Sequence, residues 1–221
     1  IADNRVHVTG NTVIDALLWI RDSLGEYSTE FWTRHFSATL LDQLVDPSRR
    51  VVLVTGHRRE NFGHGLVELC EAIRDLATSN PTVAFVYPVH LNPNVQQPVR
   101  AILGTTSNVH LIEPLGYLPF VFLMHRSYII LTDSGGIQEE APSLGKPVLV
   151  LRDVTERPEA LHVGAVRLVG ANRRRIVAAA QDLLDHRDSY ENMSRVINPY
   201  GDGHAATRIA SILSKDVGLL L

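Results

Sequence analysis

Apolar and polar positions alternate along the chain in three regimes: two helical stretches, a regular strand–helix succession, and a distinct tail. In "TVIDALLWIRDSLG", Val13, Leu17, Ile20 and Leu24 recur at helical spacing and predict one buried face. "STEFWTRHFSATLLDQL" repeats the pattern with Phe31, Phe36, Leu40 and Leu44. Six short apolar runs follow: "RRVVLVT" (49–55), "TVAFVYPV" (82–89), "NVHLIE" (108–113), "SYIILT" (127–132), "KPVLVL" (146–151) and "AVRLVG" (165–170). They are rich in β-branched residues, and most lack polar alternation, as strands covered on both faces do. Helical patterns lie between or after them, in "LVELCEAIRDLA" (66–77), "YLPFVFLMHR" (117–126) and "ANRRRIVAAAQDLLDH" (171–186). The succession predicts an α/β fold, a Rossmann-like doubly wound parallel sheet. The tail, "VINPYGDGHAATRIASILSKDVGLLL", carries Asn-Pro and Gly-Asp-Gly breakers before one last amphipathic helix. That helix follows no strand and is expected to pack elsewhere.

Composition narrows function more than fold. The 221 residues are 45% hydrophobic, enough for a substantial core. A net charge of −3 argues against a general nucleic-acid or membrane-surface binder. The one cysteine, Cys70, excludes an internal disulfide framework and suits a reducing cytoplasm. No apolar run approaches the roughly 20 residues that span a bilayer, and no signal-peptide pattern opens the chain. The text enters mid-stream at "IADNRVHVTGNTVIDALLWI", which reads as a fragment of a longer polypeptide, processing being the alternative.

In a doubly wound sheet, ligands sit beyond the carboxyl ends of the strands. Two of those turns carry chemistry. "YIILTDSGGIQEEAPSLGKP" sets Ser134, Gly135 and Gly136 at the start of a short helix that ends at Gly145. Free N–H groups and the helix dipole favour an anion there, and glycine lets a phosphate approach the backbone. Glu140, about one turn on, is placed to accept hydrogen bonds from a ribose diol. The alternative is local: Asp133 or Ser134 caps the helix, and Glu139 and Glu140 complement its dipole. The string matches neither GxGxxG nor the P-loop lysine motif. In "VVLVTGHRRENFGHG", His57 follows a strand, where acid–base or phosphate work or a structural role are equally open. Arg58 and Arg59 either neutralise a diphosphate or pair with Glu60. His57, Glu60 and His64 do not match a helical metal spacing. Phe120, Arg157 and His90 also follow strands; core packing, a surface ion pair and satisfied structure are their respective alternatives.

Together these strings resemble the C-terminal half of bacterial non-hydrolysing UDP-N-acetylglucosamine 2-epimerases. "VTGHRRENFGHG", "YPVHLNPNV", "YLPFVFLM", "LTDSGGIQEEAPSLGKPVLVLRD", "TERPEAL" and "NPYGDGHAA" occur in the family's order over essentially the whole chain. The resemblance implies half of a two-domain GT-B fold, with UDP in the cleft. It implies interconversion of UDP-GlcNAc and UDP-ManNAc, by elimination of UDP to a 2-acetamidoglucal and its re-addition, with no metal or other cofactor. Residue by residue, His57 matches the family's active-site histidine near the diphosphate. Ser134, Gly135 and Gly136 match its phosphate turn, Glu140 its ribose ligand, and Phe120 its uridine segment. Arg157 matches a nucleotide-site arginine, and His90 lies in a motif near an interdomain activator site. Residues 1–10 would be the interdomain crossing, 11–199 the UDP-binding domain, and 200–221 a helix returning to an N-terminal domain. That domain would hold the acid–base carboxylates, so this chain alone is expected to be inactive. Expected partners are UDP, UDP-N-acetylhexosamines, the N-terminal domain and a second copy in a homodimer, but neither nucleic acid nor membrane. A GT-B glycosyltransferase, a hydrolysing 2-epimerase and a stand-alone nucleotide-sugar module are the rival readings.

Overall fold

In the computed structural model, which describes residues 5–56, 58 and 61–216, the six apolar runs form one sheet. They become β1 (Val51–Thr55), β2 (Ala84–Pro88), β3 (Val109–Ile112), β4 (Ile129–Thr132), β5 (Val148–Val150) and β6 (Val166–Leu168). The strand order is β3-β2-β1-β4-β5-β6, and every pairing is parallel. Parallel pairing needs long crossovers, and those cover both faces with helices. Val52 and Val54 of β1 therefore enter one core layer, while Val51 and Leu53 enter the other. The sheet order reverses between β1 and β4, which pair from Val52↔Ile129 to Thr55↔Thr132. A ligand crevice belongs beyond Thr55 and Thr132, where the two chains part to opposite sides.

The helices are α1 (Thr12–Ser23), α2 (Thr29–Thr33), α3 (Ala38–Val45), α4 (His64–Ser79), α5 (Pro93–Leu103), α6 (Tyr117–Arg126), α7 (Gly135–Glu140), α8 (Pro158–His162), α9 (Arg173–Asp185), α10 (Arg187–Ser194) and α11 (Ala205–Asp216). α4, α5 and α9 cover one face of the sheet; α1, α2, α3 and α6 cover the other. The sequence pattern misplaces two details. On α1 the buried side chains are Ile14 and Leu17, whereas Val13 is 39% exposed. The stretch from Ser28 to Leu44 is two helices, because Ser37 turns its hydroxyl to the amide of Leu40 at 3.3 Å and starts α3 anew. Trp32, on α2, is buried and stacks on Phe122 with ring centroids 4.0 Å apart.

The terminal helix docks on α1 of this chain. The Asp15 carboxylate accepts from the amides of Ala205 at 3.1 Å and Ala206 at 2.7 Å, capping α11 across 190 residues of sequence. Among the described residues no helix is long and apolar enough to cross a membrane.

Candidate functional site

The glycine turn lies at the crevice. β4 ends at Thr132, Asp133 and Ser134 follow, and α7 begins at Gly135, continuing as a 3-10 turn over Ala141–Leu144. Gly145 closes it at φ +65°, a left-handed stop. Neither Gly135 nor Gly136 has positive φ, so the backbone does not demand glycine. Packing does not demand it either. Among the described residues, a methyl on Gly135 would meet only the Arg58 guanidinium, 3.9 Å away, and one on Gly136 only the Ser134 hydroxyl, also at 3.9 Å. The amides of Gly135 and Gly136 open α7 beside the Arg58 guanidinium, an arrangement suited to an anion.

Capping by Asp133 or Ser134, the local alternative, does not occur: Ser134 occupies the N-cap position without a side-chain cap. The buried Asp133 carboxylate turns away instead. Its Oδ2 accepts from the Arg58 backbone amide at 2.8 Å and from Asn61 Nδ2 at 3.2 Å. The Thr55 and Thr132 hydroxyls meet at 2.6 Å across the register pair, and Thr132 Oγ1 accepts the Ser134 amide at 3.0 Å. The segment after β1 is thereby tied to the segment after β4. His57, Arg59 and Glu60 lie outside the described residues; Gly56 and Arg58, their neighbours in sequence, are within them.

The carboxylates of α7 are engaged rather than merely facing a dipole. Glu140 is 8% exposed and accepts from the Tyr117 hydroxyl at 2.7 Å. Burial pushes its carboxyl above the usual carboxylate range; the Tyr117 bond pulls the other way, and Glu139 adds to the rise. Burial and the Glu140 contact likewise raise the Tyr117 phenol. Glu139 receives Arg157 Nε on one oxygen and Asn11 Nδ2, at 2.5 Å, on the other. Arg157 is therefore in an ion pair on the wall of the crevice, in the loop after β5. Phe120, one turn into α6, is half-buried against the core layer beneath α6, so it has a packing role whatever else it touches. His90 is exposed beyond β2, at the same rim, and its Nδ1 accepts the Asn92 amide at 3.1 Å.

Sequence reading missed several residues of the site. Gln138 is fully buried, donating to the Ser134 carbonyl at 3.1 Å and accepting from the Thr155 hydroxyl at 2.6 Å, which joins α7 to the loop carrying Arg157. Buried Arg152 holds Glu156 through two bonds of 2.8 and 2.9 Å, and that grip lowers the Glu156 carboxyl to about 2. Tyr117, Asn61 and Asp133 complete the set. All of these residues stand in motifs already marked, but only Asp133 was given a role there, as the alternative cap. Among the described residues no group of three His, Cys, Asp or Glu side chains is placed to hold a metal ion.

Comparison with known proteins identifies the family and the fold. The family model for UDP-N-acetylglucosamine 2-epimerase matches residues 1–214. The UDP-N-acetylglucosamine 2-epimerase of Escherichia coli K12 is 55% identical over 216 residues, covering 98% of this chain and 56% of that protein. The crystal structure of UDP-GlcNAc 2-epimerase from Neisseria meningitidis, bound to UDP-GlcNAc, superposes with a TM-score of 0.84 at 48% identity, covering 97% of this chain and 57% of that one. The Methanocaldococcus jannaschii UDP-GlcNAc 2-epimerase, in complex with UDP-GlcNAc and UDP, gives a TM-score of 0.75 at 32% identity, over 97% and 56% of the two chains. The chain thus spans a little over half the length of these relatives. It belongs to the UDP-N-acetylglucosamine 2-epimerase family.

Proposed function

We propose that this chain is the UDP-binding half of an enzyme that interconverts UDP-GlcNAc and UDP-ManNAc without releasing free sugar. The observation that carries the reading is the glycine turn at the sheet's switch point. Two bare amides that neither backbone angle nor packing requires lie under Arg58. In this reading the amides of Gly135 and Gly136 hold the diphosphate beside Ser134, whose own amide is bonded to Thr132 Oγ1, with Arg58 and Arg157 supplying positive charge. Glu140, its orientation fixed by Tyr117, takes the ribose diol, and the segment leading to Phe120 lies along the uracil. His57 donates to the leaving diphosphate, and His90 belongs to an activator site.

The reaction removes the C2 proton to a base while the C1–O bond breaks, and UDP leaves with the electron pair. UDP then re-forms that bond as a proton returns to the opposite face of C2. Negative charge grows on the departing diphosphate, so donors aimed there favour the transition state over the ground state. The C2 base belongs to an N-terminal domain outside this chain. A groove of about 430 Å³ between residues 6–9 and α11, where the apolar Val8 is 97% exposed, supports a partner on that side. A homodimer and a cytoplasmic setting complete the proposal.

The test is to incubate the full-length protein with UDP-GlcNAc and follow the sugar by NMR. UDP-ManNAc should accumulate to equilibrium with no added metal, while the 221-residue chain alone leaves the substrate unchanged. Release of free ManNAc would identify a hydrolysing enzyme, and transfer to an acceptor a glycosyltransferase. Either result overturns the reading.

A further inference from the structure

The most telling group at the site is one that electrostatics would not put there. Asp133 is 0% exposed and sits directly before the glycine turn. Through space a buried carboxylate repels a phosphate seated on the next amides. Its bonds give it another task. Oδ2 accepts the Arg58 amide at 2.8 Å and Asn61 Nδ2 at 3.2 Å, and the same Asn61 nitrogen reaches the Leu151 carbonyl, at the end of β5, at 3.2 Å. On the other side of the segment, the buried Tyr87 hydroxyl donates to the Gly56 carbonyl. Gly56 is itself wedged: a methyl there would stand 2.6 Å from Leu69 Cδ2. The chain leaving β1 is therefore gripped at Gly56, at Arg58 and at Asn61, from β2, β4 and β5 respectively. The Arg58 guanidinium projects from this grip to within 3.9 Å of the methyl position on Gly135.

We propose that Asp133 is a positioning residue for diphosphate recognition, pinning the segment after β1 so that Arg58 covers the glycine turn. The cost in charge repulsion is offset by a guanidinium held in place before the ligand arrives, which spares the ordering penalty on binding. This inference rests on the reading of the glycine turn as a diphosphate seat.

Calorimetry of the chain with UDP and with uridine separates the two claims. Wild type should bind UDP more tightly than uridine; equal affinities bring down the diphosphate seat itself. Given that preference, Asp133→Asn decides the role of the carboxylate. If the carboxylate acted only through its charge, neutralising it would tighten UDP. If it positions Arg58, UDP weakens about tenfold or more, the scale of losing hydrogen bonds to a charged group, while uridine changes less than about twofold. Tighter or unchanged UDP binding by the folded variant overturns the proposal. Asn61→Ala supplies a second test, because it removes one pin without altering any charge. It should weaken UDP about three- to tenfold and leave uridine alone, a smaller loss than Asp133→Asn since the Arg58 bond persists. A lower melting temperature with an unchanged UDP-to-uridine ratio would mean that Asn61 and Asp133 only stabilise the fold.

Discussion

Replacing Gly136 by alanine should make the protein more stable and a poorer ligand for UDP at once. Gly136 is the second residue of α7, with ordinary negative φ, and the nearest atom to an added methyl is the Ser134 hydroxyl at 3.9 Å. Among the described residues no atom has to move. Alanine also narrows the unfolded ensemble, so at a compatible site the gain is about 0.4–1 kcal/mol. For a domain of this size that corresponds to a melting temperature about 1–4 °C higher. The ligand meets the opposite effect. A methyl on the exposed face of the turn occupies the space a phosphate oxygen needs to reach the amides. Losing charge-assisted bonds worth about 1.5–3 kcal/mol lowers affinity about ten- to a hundredfold. Differential scanning calorimetry and titration with UDP measure both on the same sample. A stabilised variant with unchanged UDP affinity would mean that the glycines serve no ligand. A variant destabilised by more than about 1 kcal/mol would mean that the fold requires them after all.

Two further outcomes follow from the packing around Gly56 and His125. Gly56→Ala should cost about 1–3 kcal/mol in urea unfolding, because its methyl would overlap buried Leu69 at 2.6 Å and crowd the Tyr87 hydroxyl at 3.4 Å; a neutral result would contradict the packing described. His125 Nδ1 is buried with no hydrogen-bond partner among the described residues. Burial first, then Lys146, Arg126 and Arg21, push its imidazole from 6.5 down to about 4, against a smaller pull from Asp22. The unfolded chain therefore takes up this proton first: the stability is complete above pH 6.5 and is lost as pH falls towards 4. Because the side chain is only half-buried, solvent screening reduces the loss at pH 5 to about 1 kcal/mol. His125→Gln should remove that share of the difference in urea midpoint between pH 7.5 and pH 5, and an undiminished difference would refute it.

Local chemistry made much of this protein legible. Each of the six strands lies in one of the short apolar runs; the inner strands β1, β2, β4 and β5 are uninterrupted because both their faces are buried, whereas the edge strands β3 and β6 carry His110 and Arg167. Tyr117–Arg126 matches its helix end for end, and Gly145 stops the α7 segment as its place before Lys-Pro suggests. α5 escaped notice, since "PNVQQPVRAIL" shows a proline inside the helix and few apolar positions. What announces it is a cap, Asn92, whose side chain accepts the Asn94 amide at 2.9 Å. On α1 the pattern placed Leu17, Ile20 and Leu24 correctly against the core and erred only at Val13, whose place Ile14 takes.

The sequence alone, through its periods and its glycines, determined that a parallel sheet exists and which turn carries paired glycines at a helix start. Strand order, and with it the partnership of the turns after β1 and β4, was settled by tertiary pairing. Val52 to Thr55 finds Ile129 to Thr132 across 77 residues, a choice made by packing on both faces rather than by any local signal. The same holds for each side chain at the site. Asp133 reads as a helix cap in sequence because Asp before a helix usually is one. Folding instead puts the amide of Arg58 beside its carboxylate, and a buried carboxylate bonds to the donors that surround it.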